Sequence, residues 1–558
     1  MRWPPTCITT WLAGRPVSAR PASAGYVLGR FVRRNRFTVL AGSLGGLGLA
    51  TGLAAALLQG RQATALGVLG LAAGLGMALF KGRQAEVARA SAEQHVADLR
   101  RLSRDVVVEY GDAITYVPGG MARKAAMLTT TLGYLDRLAG AAGDDPVFKG
   151  EIGRVYARLA DLQASNNYNA SERPEEAERN ARRAVELLAA AAVANSHAND
   201  AGAVGWWARA LCVLGKAAQQ RNDLSGALAH LAEADAVLLT GLLRFADHPL
   251  LISERAAALM LKVSVHCGYN QRNQNQPDAA LTLLAQAQAL YVQLTCGPGP
   301  VQMDDVFQLG GVSAGQALIL ARQERWPEAI VAARSALAQR LRASALEPHN
   351  RVVLGAVAAD RNLLGALCLT AGDVPAAVAE GQSAWAALLR LMAEDADNQA
   401  WREQQRYLAL NLVRARVAAG DAAAALPVLQ VSADWLGPIV AGGAGTPMQR
   451  RRLAQTQLAQ ACALHALGGP VAAVALATEA AQALQALVAE PGTEAATEAA
   501  TGRDSWMALG ECAATLSGWQ HGDAAQRWKD EARSAYAQAA RMQPLTAENA
   551  RRALWADT

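Results

Sequence analysis

The chain has 558 residues and a mass of 58.4 kDa, enough for several cores of ordinary size. It holds 126 alanines but only 7 isoleucines and 6 phenylalanines, a balance that favours helices and argues against a β-rich or dinucleotide-fold body. Ten basic and no acidic residues stand before Glu86, so the net charge of +5 is local and residues 86–558 carry −5; a basic cluster beside apolar runs points to membrane orientation and away from nucleic acid.

In chain order, residues 1–36 form a basic juxtamembrane linker ending in Arg30, Arg33, Arg34 and Arg36. From Phe37 to Leu58 no residue is charged, and 22 residues at ~1.5 Å each span a hydrocarbon core of ~30 Å. The run is too long and too far from Met1 for a signal peptide. A second apolar run, Ala63 to Phe80, follows. Ala41–Gln62 and Ala63–Gln84 align without a gap at 14 identities in 22, so the transmembrane region 37–80 reads as a tandem duplication. Lys81, Arg83, Arg89, Arg100, Arg101 and Arg104 follow the second run, while the turn between the runs holds only Arg61. That distribution favours a hairpin in the inner membrane with the helical body in the cytoplasm; a single span would place the body in the periplasm.

Residues 86–142 read as connecting helices, 145–542 as a helical repeat array of about eight hairpins, and 545–558 as a C-terminal cap. Junctions recur in which a small or acidic residue is followed by an alanine that opens the next helix. Ala227, Ala279, Ala329, Ala377, Ala425 and Ala473 lie 52, 50, 48, 48 and 48 residues apart. A period near 50 containing two helices is the mark of an α-solenoid, in which each hairpin buries its apolar face on its neighbours. Gly297-Pro-Gly-Pro300 and Ala441–Pro447 are expected to bend the array, and the low-complexity stretch Glu490–Gly502 to form a mobile loop.

No catalytic constellation is legible. The eight histidines (His95, His197, His230, His248, His266, His349, His465 and His521) form no HxxxH or HExxH pair, and the seven cysteines form no CxxC pair. There is no GxSxG elbow and no phosphate loop. The expectation is therefore no catalytic residue, no metal and no cofactor. Asn166–Asn169 and Asn270–Asn275 read as turns, and of Trp206 and Trp207, which project about 100° apart on a helix, at least one belongs in the core.

Leu214-Gly215 before Ala227, Leu364-Gly365 before Asp373, and Leu467-Gly468 before Ala473 resemble the tetratricopeptide repeat. That resemblance implies an all-α solenoid whose groove takes a protein or peptide ligand, although the family's period is 34 and its aromatic positions are mostly missing here. A second resemblance covers roughly residues 11–195. The run Trp11–Arg36 before the apolar span is similar to the linker of bacterial membrane-anchored serine/threonine protein kinases. Leu99–Ser103, Val117-Pro-Gly-Gly, Tyr134–Leu138 and Tyr156–Gln163 resemble that family's segment leading to its tetratricopeptide region. The glycine-rich loop, the VAIK-type lysine and the HRD, DFG and APE motifs are absent. The resemblance thus implies either a stand-alone membrane-tethered scaffold or sensor, with a partner kinase, or the regulatory portion of a kinase whose catalytic domain is encoded upstream or lost.

Overall fold

The computed structural model describes residues 146–542, apart from 165–173, 194–199, 269–272, 298, 396–397, 444 and 491–498. The linker, apolar runs, connecting helices and terminal cap expected from the sequence lie outside the described residues. Sixteen helices make up the described part: α1 (Pro146–Ala164), α2 (Pro174–Val193), α3 (Ala201–Gln220), α4 (Leu224–Arg244), α5 (Pro249–Cys267), α6 (Pro277–Cys296), α7 (Met303–Arg322) and α8 (Trp326–Leu346), then α9 (Arg351–Thr370), α10 (Val374–Glu394), α11 (Gln399–Ala418), α12 (Ala425–Ala441), α13 (Pro447–Ala466), α14 (Pro470–Ala489), α15 (Ala499–Trp519) and α16 (Gly522–Met542). No strand occurs among the described residues. Helices of about 20 residues explain a period near 50, since two such helices and their turns use up most of it.

The helices pair in sequence as hairpins, and each second helix also packs on the first helix of the next hairpin. First helices additionally touch first helices, as α1 with α3, α3 with α5, α9 with α11, and α11 with α13. The fold is an all-α, tetratricopeptide-like solenoid with the first helices forming one layer and the second helices the other. α4, α9 and α14 are long and apolar enough to cross a membrane by length and composition; each is packed here as one arm of a hairpin.

One buried stripe repeats along the second helices, spaced four, three, four and three residues, the interval that keeps side chains on one face. It runs Ala227, Leu231, Ala234, Leu238, Gly241 in α4; Ala377, Gly381, Ala384, Leu388, Leu391 in α10; and Ala473, Ala477, Ala480, Leu484, Leu487 in α14. The opening alanine of α6 is Ala280, buried, rather than the expected Ala279. The turns within hairpins also repeat. Asn222, Glu324, Gly372, Gly420 and Gly468 all have positive φ, and the amide after each returns to a carbonyl five residues back, as in Asp223 N to Ala218 O (2.9 Å) and Asp373 N to Cys368 O (2.8 Å). This is the Schellman close of a helix, followed at once by the next N-cap.

Two of the Leu-Gly pairs serve helix contact and the third does not. A Cβ on Gly215 would lie 2.9 Å from Leu231 Cγ, and one on Gly365 3.2 Å from the Ala377 carbonyl, so both glycines let the two arms of a hairpin approach. Gly468 instead takes the turn itself at φ +82°, and Ala461 occupies the position equivalent to Gly215. Gly297–Pro300 and Ala441–Pro447 fall between hairpins. The low-complexity stretch is shorter than expected as a loop, because Ala499–Gly502 already belong to α15.

Candidate binding groove

The first-helix layer changes character along the array. At the N-terminal hairpins its charges are matched by its own neighbours. Arg209 of α3 reaches Asp161 of α1 at 3.6 Å and Glu254 of α5 through Nε at 3.1 Å. Arg154 pairs with Asp200. Trp206 lies between the guanidinium groups of Arg158 and Arg209, at 5.3 and 4.9 Å from its ring centre. Trp206 and Trp207 are both half-buried against the core, so the pair is tied down on two sides. Further along, Arg340 of α8 stacks at 3.7 Å over the Phe307 ring and bonds Asp360 of α9 at 3.3 Å. Burial pushes the Asp360 carboxyl up to about 6, against the opposing pull of Arg340.

Over α9, α11, α13 and α15 the layer opens into a groove of about 760 Å³, with Tyr536 of α16 at its edge. Its floor is apolar, with Leu369, Leu410, Val413 and Leu458, and small residues such as Ala459 and Ala514 give it depth. Thr370, Asn411, Gln455 and Thr515 are polar lining residues on successive first helices, and the amides on α11 and α13 are tied to side chains outside the lining. Asn411 donates to Asn362 Oδ1 at 3.2 Å, and Arg406 donates to Gln455 Oε1 at 3.1 Å. Gln404 donates to the Gly355 carbonyl at 2.6 Å. Arg414 is exposed on the wall, Glu511 lines the far helix, and burial raises the Cys462 thiol between them. A partly apolar groove with side-chain amides on its wall is suited to an extended chain.

The residues weighed from the sequence sit elsewhere. His266 bonds Gln276 at 2.9 Å, and His465 stacks on Trp519 with centres 4.4 Å apart. Asn273 and Asn275 close a turn, Asn273 donating to the Gly268 carbonyl at 2.8 Å and Asn275 accepting from Arg322 at 3.1 Å. The turn at 166–169 and the histidines His95 and His197 lie outside the described residues. No cluster of three or more His, Cys, Asp or Glu side chains that could hold a metal occurs among the described residues. Asn411, Arg414 and Gln455 were not singled out from the sequence. The available signal was the arginine content of α11 and α13.

No family model and no curated protein matches the chain. Solved structures similar to it include a Rap protein complexed with competence and sporulation factor (12% identity, covering 81% of this chain and 99% of that one, TM-score 0.43). They also include the apo form of RapI (10% identity, 83% and 97% covered, TM-score 0.47) and yeast Tom70 (12% identity, 83% and 95% covered, TM-score 0.30).

Proposed function

We propose that this chain is a non-enzymatic protein-interaction scaffold whose ligand, a peptide or protein segment, seats in the groove over α9, α11, α13 and α15. The carrying observation is that groove: an apolar floor spanning four successive first helices, with amide and guanidinium groups from α11 and α13 and hydroxyls of Thr370 and Thr515 from α9 and α15. The duplicated apolar runs within 37–80 would tether the scaffold to the inner membrane and raise its local concentration there. A photoreactive residue replacing Ala459 in the groove, compared with one replacing the exposed Val471 of α14, tests the site. Adducts concentrated at position 459 support the reading, and equal labelling at both positions refutes it. A reporter fused after Thr558 tests the tether, with cytoplasmic activity expected for two spans.

The kinase-like runs Trp11–Arg36 and Leu99–Gln163 favour a second reading, in which the scaffold regulates a serine/threonine kinase domain. Coding sequence with HRD, DFG and APE spacing immediately upstream of the Met1 codon would establish it; its absence there would favour the stand-alone scaffold.

A further inference from the structure

We infer that the segment held in this groove is acidic, placing a carboxylate on Arg414 and an apolar side chain on the Leu410–Val413–Leu458 floor. The inference rests on the groove reading above and adds the chemistry of the ligand. It starts from charge. α11 and α13 carry Arg402, Arg406, Arg414, Arg416, Arg450, Arg451 and Arg452 against the single acid Glu403, although residues 86–558 together are net negative.

The second observation is how these cations are partnered. In the N-terminal hairpins a first-helix arginine meets carboxylates of the neighbouring first helices, as Arg209 does with Asp161 and Glu254, and on α13 Arg450 and Arg451 meet Glu490 and Asp504. Arg406, Arg414 and Arg416 make no salt bridge with a carboxylate among the described residues. Arg416 donates to the Ala424 carbonyl. Arg406 is only 4% exposed and stacks over the Tyr407 ring at 4.1 Å; its Nε has no hydrogen-bond partner, and among the described residues its side chain hydrogen-bonds Gln455 and no carboxylate. A buried guanidinium without a counter-charge is costly, and an anionic ligand seated against Gln455, its hydrogen-bond partner on the groove wall, reduces that cost.

The third observation is directional. A guanidinium only donates, so Gln455 must offer Arg406 its oxygen, which leaves its amide N–H groups as donors on the groove wall. The wall over α11 and α13 therefore presents donors and positive charge to whatever lies in the groove. Glu511, two first helices away on α15, is the one carboxylate among the lining residues. It gives the groove a polarity, with the acidic end of the ligand over α11 and α13 and a neutral or basic end toward α15.

The test uses the purified full-length chain and two fluorescein-labelled octapeptides, one alternating Asp and Leu, the other alternating Lys and Leu, with inorganic phosphate as competitor. The acidic peptide is expected to bind about tenfold more tightly than the basic one, with affinity falling as salt rises. Arg414→Gln, at an exposed position that leaves the melting temperature unchanged, is expected to weaken the acidic peptide about tenfold; Glu511→Gln is expected to leave it equal or tighter. Equal or tighter binding of the basic peptide, or an Arg414→Gln chain that binds the acidic peptide as wild type does, overturns the inference. If the basic peptide binds and Ala459→Trp abolishes that binding, the groove reading stands while the acidic one falls; if neither peptide binds, both fall. Displacement of the peptide by millimolar phosphate would make this a small-anion site, and a dimer dissolved by Ala459→Trp would make the occupant a second copy. Either result also overturns the inference.

Discussion

At the scale of single residues, glycine is required where two helices meet and its absence is felt where a turn needs it. A Cβ on Gly355 would stand 2.4 Å from Trp401 Cζ3, and Trp401 is 4% exposed with nowhere to retreat. Gly355→Ala is expected to cost about 1–3 kcal/mol in urea unfolding, whereas Gly518→Ala, with open space around it, should gain about 0.5–1 kcal/mol through helix propensity. Glu324 shows the opposite case. It occupies the left-handed turn position at φ +61° that Gly372, Gly420 and Gly468 fill elsewhere, so Glu324→Gly is expected to stabilise by up to about 1 kcal/mol. Asp360 sets a pH dependence. Its carboxyl sits at about 6 rather than the ordinary 3.8, so the folded chain binds the extra proton and stability falls as pH rises through that window. Burial raises Asp304 and Asp305 in the same sense, while Asp235 and Glu178 are held low by cations and act oppositely. The melting temperature of Asp360→Asn relative to wild type should therefore rise between pH 4 and 7; a constant difference would contradict the assignment.

At the scale of elements, much of the fold was legible because one small residue recurs wherever the arms of a hairpin cross. The alanines at 227, 329, 377, 425 and 473 are all fully buried, and no side chain larger than methyl fits so close a crossing, which is why they stand out in sequence. The register slipped once, at Ala279, because Ala279 and Ala280 are adjacent and only the helix phase after Pro277 decides between them. Leu467-Gly468 was misplaced for a different reason: the same dipeptide serves a tight helix contact and a left-handed helix end, and the difference lies in whether the chain continues or turns. Helix starts are equally local. Thr446 accepts from Gln449 N at 3.2 Å while the Gln449 side chain takes the Thr446 amide at 3.0 Å, a capping box at the head of α13. Thr446→Ala should cost about 1 kcal/mol, read as a lower midpoint with an unchanged slope in urea.

At the scale of the whole molecule, the groove was not legible in the sequence. Asn362, Asn411 and Gln455 come together only because successive first helices stack 44–49 residues apart, and the groups that leave Arg414 without a carboxylate lie on other helices. The repeat itself makes a strong prediction. Three successive periods are 48 residues, and each hairpin contacts only its neighbours, so removing residues 377–424 joins α10's start to α12 in register. That deletion should give a helical, cooperatively melting chain, while removal of 46 residues from the same point should rotate the stripe by about 200°, out of the core, and lose cooperativity. Peptide binding should fall in both, since the groove needs α11. The groove over α9, α11, α13 and α15 is the proposed seat of the partner. The most direct measurement is the affinity of the full-length chain for the acidic octapeptide, taken for wild type and for Ala459→Trp. A saturable isotherm for wild type that is lost in Ala459→Trp, with circular dichroism unchanged, is the predicted result. An isotherm that survives the tryptophan would place the binding site elsewhere and contradict the account.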